Sequence, residues 1–564
     1  MSRSVANAIF LFTLAFFAVF FLWPIAITLK EAFKDPEGGF TIDFIAEVFR
    51  NKIYLEGLWN AFLMAFFTTL GCLVLAMPLA MLNVRCNFPG KAILSSLVLV
   101  PLILPPFVGA IGVKRILGRE GSLNALLDNL GMVDAPIDWL GEGRLFGVVL
   151  MNILHLYPIL YLNVTAALSN LDPAYEEAAM NLGASPWKKL WKITMPLTMP
   201  GIFAGATIVF IWAFTELGVP LIFDYHRVTS VQIFDGIKDI GGNPLPYALV
   251  TVMLVATVLM FIASKLLFGR SNFSSSGRAS IGRRPTDLSG FKAWLATFAF
   301  ASVIFLAVLP HLGVLFMSMS TDWYQTVMPK GFTLGHFEDA LGHQLTVDSI
   351  GNSLKYASLA TVFDVFLGIA IAYVIVRTKI FGRQILDGLA MLPLAVPGLV
   401  MAFGYLAMTR EGRFFDFLII GKDSNPIIIL VIAYAVRRLP YMVRSAVAGF
   451  QQTSPSLEEA AMNLGTTSFG ALRKITLPLI TANLIAGGLL AFAFAMLEVS
   501  DSLILAERAE HFPITKAIYT LFSSLGNGEF LASALGVWAM LFLGTTIIGA
   551  GLLLGKKLGA LFRV

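Results

Sequence analysis

One octapeptide occurs twice in this chain, and it commits the fold to building a single unit two times. Glu176 through Gly183 reads Glu-Glu-Ala-Ala-Met-Asn-Leu-Gly, and so does Glu458 through Gly465. The match continues without a gap, Lys192-Ile193-Thr194 with Lys474-Ile475-Thr476 and Pro196-Leu197 with Pro478-Leu479. Both copies lie in polar stretches between long apolar runs. Lipid solubility does not require a repeated polar string. The pair therefore points to two equivalent contacts with something in the aqueous phase.

The apolar runs set the class. Hydrophobic residues make up 57% of the chain and charged residues 13%, with a mean hydropathy of +0.79. Soluble domains carry roughly 25% charged residues. Many runs reach the roughly 20 residues that cross a bilayer as helix. The first run, near 7–29, is longer than a signal-peptide core and no A-x-A site follows it, so it reads as a retained helix. Five more runs lie near 58–83, 92–114, 145–168, 199–223 and 246–268, and six near 292–318, 351–376, 385–408, 426–449, 481–505 and 531–557. The expectation is an all-α integral membrane protein of about twelve transmembrane helices in two six-helix repeats. Residues 1–268 form the first unit, a polar, arginine-rich stretch at 269–290 is a linker, and 291–564 form the second unit.

The halves correspond beyond the octapeptide. Asn60 opens a run ending at Arg85, as Asn352 opens one ending at Arg377. Pro101 and Pro105 align with Pro393 and Pro397, Pro158 with Pro440, and Glu216 with Glu498. Six spans per repeat is an even number, so both halves enter the membrane in the same direction and form a parallel repeat. Positive charge in short loops orients the chain. Arg85 and Lys91, then Lys188, Lys189 and Lys192, then Arg270, Arg278, Arg283 and Arg284, and finally Lys556, Lys557 and Arg563 all fall on one side. That side is cytoplasmic, together with both termini, the linker and both octapeptide loops. The net charge of +5 reads as membrane topology and not as nucleic-acid binding. Cys72 and Cys86 suit packing and do not suggest a disulfide or metal scaffold.

The loops at about 172–197 and 454–479 have readable mechanics. Asp172-Pro173 and Ser454-Pro455 each place a helix cap before a proline at the first helical position. The glutamate pairs then sit where the helix dipole favours negative charge. Gly183 and Gly465 end that helix in the left-handed conformation. Ser185-Pro186 and Thr467-Ser468 start a second short helix, and Pro196 and Pro478 precede the next span. A helix–glycine–helix elbow at the cytoplasmic surface is a knob that transmits a partner's motion to the spans on either side.

This pattern of Glu-Ala-Ala, three residues and glycine, before the last two helices of a six-helix unit, resembles the EAA loop of ATP-binding-cassette (ABC) importer permeases. The two-unit fusion resembles the ferric-iron-type permeases, whose relatives handle thiamine, phosphonates or phosphorylated sugars. The resemblance covers essentially the whole chain. It implies a type I ABC importer permease fold in a bacterial inner membrane. It also implies two coupling helices, carried by Glu176, Glu177, Ala178, Ala179 and Gly183 and by Glu458, Glu459, Ala460, Ala461 and Gly465. Each docks on one copy of a cytoplasmic ATPase, and a soluble extracytoplasmic binding protein delivers the substrate. Ferric iron import is the function the resemblance implies, with a phosphonate, phosphorylated sugar or thiamine as alternatives.

The chain itself carries no G-x-x-x-x-G-K-[ST] phosphate loop, since Gly551 to Lys557 has the wrong spacing. ATP and Mg are expected on the partner ATPase, with no cofactor here and no enzyme activity in this chain. Charges inside spans are functional candidates by default. Glu216, Glu498 and Asp501 fall in the fifth helix of each unit and are candidates for the translocation pathway, with structural hydrogen bonding as the competing role. Asp364, whose counterpart is Cys72, and His155 read as structural. The six histidines show no metal-ligand spacing. A six-plus-six secondary transporter is the rival class, but Asn83 to Lys91 poorly matches that class's signature loop, and such a transporter has no use for two matched knobs.

Overall fold

Backbone groups in lipid must be satisfied within the chain, which restricts a sequence this apolar to helices or a closed barrel. A computed structural model describes residues 3–35, 37–140, 145–239, 243–268, 285–418 and 425–554, and they are almost entirely helical. Arg270, Arg278, Arg283 and Arg284 of the linker, and Lys556, Lys557 and Arg563, lie outside the described residues.

Among the described residues, nine helices are long and apolar enough to cross a membrane. Two more candidates are bent pairs, Lys91–Ile103 with Pro106–Asn129 at 94° and Arg383–Leu394 with Gly398–Met408 at 99°. The expected twelfth run is the 26-residue helix Ile427–Gln452. It carries Arg437, Arg438 and Arg444, so apolar helices alone do not reach the count of about twelve. The two bends share one cause. Pro105 and Pro397 sit at the breaks with extended backbone (ψ 119° and 140°), and neither has the amide N–H that would carry the helical hydrogen bonds across.

The described residues pack as two units, and these cut across the sequence boundaries at 268 and 291. The first lies within Met1–Leu55, Gln232–Val255 and Gly335–Leu561, and the second within Glu56–Val231 and Ala256–Leu334. Each unit therefore takes its first helix from the other half of the sequence. In the first unit, helix Ser4–Ala32 lies against Gln344–Arg377 and Gly398–Met408. The Tyr405 hydroxyl donates to the Phe20 carbonyl at 2.7 Å, and the rings of Phe16 and Phe363 lie 5.2 Å apart. In the second unit, helix Gly290–Met319 lies against Pro106–Leu117, with His311 Nε2 3.2 Å from the Pro105 carbonyl. The tilted rings of Phe88 and Phe300 lie 5.1 Å apart.

One close approach is made twice. A Cβ on Gly404 would sit 2.8 Å from Pro24, and a Cβ on Gly112 would overlap the Pro310 carbonyl. Gly112 and Gly404 occupy equivalent positions after the aligned prolines Pro105 and Pro397. Small residues let membrane helices approach at backbone distance, and here each glycine faces a proline of the incoming helix. A two-residue parallel pairing of Cys86–Asn87 with Thr286–Asp287 also ties the described end of the linker to the loop after Lys52–Arg85.

This seat gives the first prediction. Gly112→Ala should destabilise the protein by about 1–3 kcal/mol, the usual range for overpacking. Gly488→Ala, whose new methyl meets its nearest neighbours at an ordinary 3.7 Å, should be near neutral. Thermal melting of the two detergent-purified variants checks this, and equal Tm values would refute it.

Candidate functional site

The duplicated elbow forms as its sequence dictates, twice. The Asp172 carboxylate accepts from the Ala174 amide at 2.9 Å to cap helix Pro173–Asn181, and the Ser454 hydroxyl caps Pro455–Asn463 in the same way. Gly183 (φ 78°) and Gly465 (φ 89°) then turn the chain. The Gly183 and Ala184 amides donate to the carbonyls of Met180 and Ala179, and the Gly465 and Thr466 amides to those of Met462 and Ala461. This is the Schellman closure that satisfies the last helical carbonyls. Ser185 and Thr467 cap the next short helices, and a five-residue π turn follows each, Leu190–Thr194 and Leu472–Thr476.

The paired glutamates divide their work. Glu176 and Glu458 are buried and point into their own units. Arg85 donates to Glu176, and the Thr194 hydroxyl donates to the same carboxylate at 2.6 Å. In the other copy, Arg377 Nε donates to Glu458 at 2.9 Å and the Thr476 hydroxyl does so at 2.9 Å. Arg377 also holds the Thr453 carbonyl at 2.7 Å. The arginines that end two apolar runs thus fasten each elbow to its unit. Glu177 and Glu459 are exposed, together with Ala178 and Ala460, while Ala179 is buried and Ala461 half-buried. Between them stand Leu182 and Leu464, 89% and 88% exposed. The copies diverge one turn later, where Trp187 and Trp191 face Phe469 and Arg473 in the alignment.

The membrane glutamates sit in breaks and not within a continuous fifth helix, which corrects the expectation. Helix Met195–Phe214 stops and a short helix restarts at Gly218; Leu477–Met496 stops and restarts at Ser500. Each glutamate bridges its break. Glu216 Oε1 accepts from the Val219 amide at 3.2 Å, and Glu498 Oε1 from the Asp501 amide at 3.3 Å. The carbonyls freed by the breaks are also covered, Glu216 O by the Ser230 hydroxyl at 2.6 Å, and Glu498 O by Ser502 and Thr515 at 2.5 and 2.7 Å. Non-helical backbone at membrane depth is tolerated only with such partners.

Residues 72–272 and 364–554, well over half of the chain, match the family described as binding-protein-dependent transport system inner membrane component. The chain belongs to this family. It is a multi-pass permease of the ABC importer type. A ferric transport system permease protein of Actinobacillus pleuropneumoniae is 29% identical over 467 residues, covering 81% of this chain. That alignment spans 64% of the relative's own length. An Fe(3+)-transport system permease of Haemophilus influenzae is 25% identical, covering 80% of this chain and 81% of its own length. A Salmonella typhimurium permease provisionally assigned to 2-aminoethylphosphonate transport is 29% identical over 261 residues, which is 46% of this chain and 91% of that one.

The permease is not symmetric at the membrane breaks. Glu498 is held by Arg437 and Arg438, and Arg437 also reaches Asp501 at 3.3 Å. Arg438 donates to the Phe494 carbonyl at 2.9 Å. Arg437 presses against Gly398, at the start of the second arm of the bent span, where no side chain fits. In the first half His155 stands where Arg437 stands, and its Nδ1 lies 2.8 Å from the Pro101 carbonyl. Leu156 replaces Arg438 and Val219 replaces Asp501. Close by, Lys516 donates to the Leu503 carbonyl at 2.6 Å, and burial holds its amine below the ordinary lysine value. Among the described residues no three His, Cys, Asp or Glu side chains converge as a metal requires. Sequence reasoning passes over Arg437 and Arg438, although two adjacent arginines inside an apolar run were the available signal.

The divided glutamates give the second prediction. Glu458→Gln leaves a buried Arg377 without its counter-charge. The loss should fall at the low end of the roughly 3–5 kcal/mol seen when one partner of a buried pair is removed. Exposed Glu459→Gln should stay within about 0.5 kcal/mol of wild type. Melting of the purified permease separates the two, and equal losses would show that the pair shares one role.

Proposed function

We propose that this permease moves ferric iron into the cytoplasm, driven by ATP hydrolysis on two copies of a separate ATPase and fed by an extracytoplasmic binding protein. One observation carries the coupling part. The two copies of the octapeptide present the same exposed surface, with Leu182 and Leu464 almost wholly bare on elbows anchored by buried glutamates. A solvent-exposed leucine on a rigid turn stabilises nothing in its own chain and suits an apolar socket in a partner. The buried Glu176 and Glu458 transmit the load, and Glu177, Ala178, Glu459 and Ala460 form the contact surface. Gly183 and Gly465 set the elbow angle. ATP and Mg belong to the ATPase, and both termini and both elbows face the cytoplasm. The iron assignment rests on the named ferric relatives.

The assembly test is stoichiometry. Purification with the co-expressed ATPase should give one permease with two ATPases. Leu182→Asp and Leu464→Asp should each weaken docking by about 2 kcal/mol, roughly thirtyfold, the size of an interface hot spot. Uptake should fall with docking while the permease still accumulates in the membrane. A double variant that retains both ATPases would sink the coupling assignment.

A 2-aminoethylphosphonate is the second reading, favoured by the Salmonella relative and by two guanidinium groups at the second break. Glu216 distinguishes the readings if it, with Glu498 and Asp501, lines the pathway. Glu216→Gln keeps a carbonyl for the Val219 amide but removes the charge. Ferric uptake should drop steeply, and phosphonate uptake should hold or rise. Unchanged uptake of both would remove Glu216 from the pathway.

A further inference from the structure

Asp364 is an acidic side chain among the described residues that the site does not explain. It lies mid-way along helix Gln344–Arg377, fully buried, and neither carboxylate oxygen has a hydrogen-bond partner. One turn earlier the Thr361 hydroxyl is also buried without a partner. A buried carboxylate with no donor is expensive and calls for a reason.

The packing register supplies one. Helix Gln344–Arg377 runs beside helix Ile427–Gln452. A Cβ on Gly368 would touch Met442 at 2.8 Å, so those positions face each other directly. Further along, Arg377 lies 5.5 Å from the Phe450 ring and bonds Thr453, so the two helices run in parallel register. Stepping back one turn from Gly368 and Met442 reaches Asp364 and Arg438, on the same facing stripes. Arg438 is the charged group that acts on Asp364 electrostatically. Its guanidinium is turned away, toward Glu498 and the Phe494 carbonyl, and its Nε has no partner.

The internal repeat reads the pair independently. The first half has Cys72 where Asp364 stands and Leu156 where Arg438 stands. Cys72 simply donates to the Ile153 carbonyl at 3.6 Å. The pair is acidic and basic in one half, and is replaced at both positions by cysteine and leucine in the other. A solitary structural aspartate has no reason to change together with a residue on the next helix.

We propose that Asp364 is a positioning residue for the transport step, the second seat of the Arg438 guanidinium. In the arrangement seen here Arg438 bonds Glu498 and holds the break of the fifth helix against helix Ile427–Gln452. In the alternate arrangement it turns to Asp364 and releases that break, while Arg437 keeps Glu498 and Asp501 compensated. Two discrete seats for one charge make a bistable element, which packed cores favour over gradual deformation. Only the second half has this element, so its break moves under ionic control and the break at Glu216 does not.

The inference rests on the ATP-driven importer reading, and the experiment keeps the two apart. Proteoliposomes carry the permease with its ATPase, and the iron-loaded binding protein is added. Wild-type uptake and stimulated hydrolysis test the importer reading alone. Against that reference, Asp364→Asn should keep basal hydrolysis and lose both stimulation and uptake, because Arg438 has lost its second seat. Asp364→Glu should recover part of both. The double change Asp364→Cys with Arg438→Leu copies the first half and leaves Arg437 on Glu498, so it should accumulate in the membrane with a lowered Tm, from the loss of the Arg438–Glu498 pair, yet remain inactive. Wild-type stimulation in Asp364→Asn, or in the double variant, would overturn the proposal. If neither variant accumulates in the membrane, the pair is a folding requirement and the proposal also falls.

Discussion

Breaking a helix inside a bilayer releases peptide groups that water cannot reach, and this constraint organises the permease. Named side chains repair several of the places where a span bends or stops. His155 and His311 stand at the carbonyls of Pro101 and Pro105. Glu216 and Glu498 accept amides at the restart of the fifth helices, and Ser230, Ser502 and Thr515 cover the carbonyls. These polar groups mark positions where the backbone departs from helix; Asp364 and Arg438, inside continuous helices, do not.

The same economy governs the elbows. A charged helix at the membrane surface needs a rigid attachment if a push on it is to reach the spans. The attachment is a buried carboxylate shared between an arginine from the end of one span and a threonine from the π turn before another. Breaking a buried pair is costly, so the elbow and its spans move as one body. The exposed glutamate one residue later is left for a partner. Two adjacent glutamates, identical as letters, differ in function because a helix turns them through about 100° relative to each other.

Much of this was legible in the residues. Caps at Asp172 and Ser454 and turns at Gly183 and Gly465 are local rules, and local rules need only nearby sequence; the bends at Pro105 and Pro397 fall within the runs 92–114 and 385–408 that read as single spans. The aligned Arg85 and Arg377 were visible as the ends of apolar runs, but their carboxylate partners lie far away in the chain and no spacing reveals them. The same holds for Glu498, which reads as an open intramembrane charge until Arg437 and Arg438 are seen against it. The packing units were hidden for a related reason. Sequence order places Ser4–Ala32 with the first repeat, whereas the glycine that admits it, Gly404, lies in the second.

That exchange of first helices has a consequence for synthesis. During translation the groove at Gly112 stays empty until the helix containing Pro310 leaves the ribosome, and the helix containing Pro24 waits in the membrane for Gly404. Neither half of the message encodes a finished packing unit. A nascent chain halted between the repeats holds one unfilled groove and one unclaimed helix, each facing lipid, and such surfaces are what membrane quality control captures. Completion of the fold is thereby tied to completion of the reading frame.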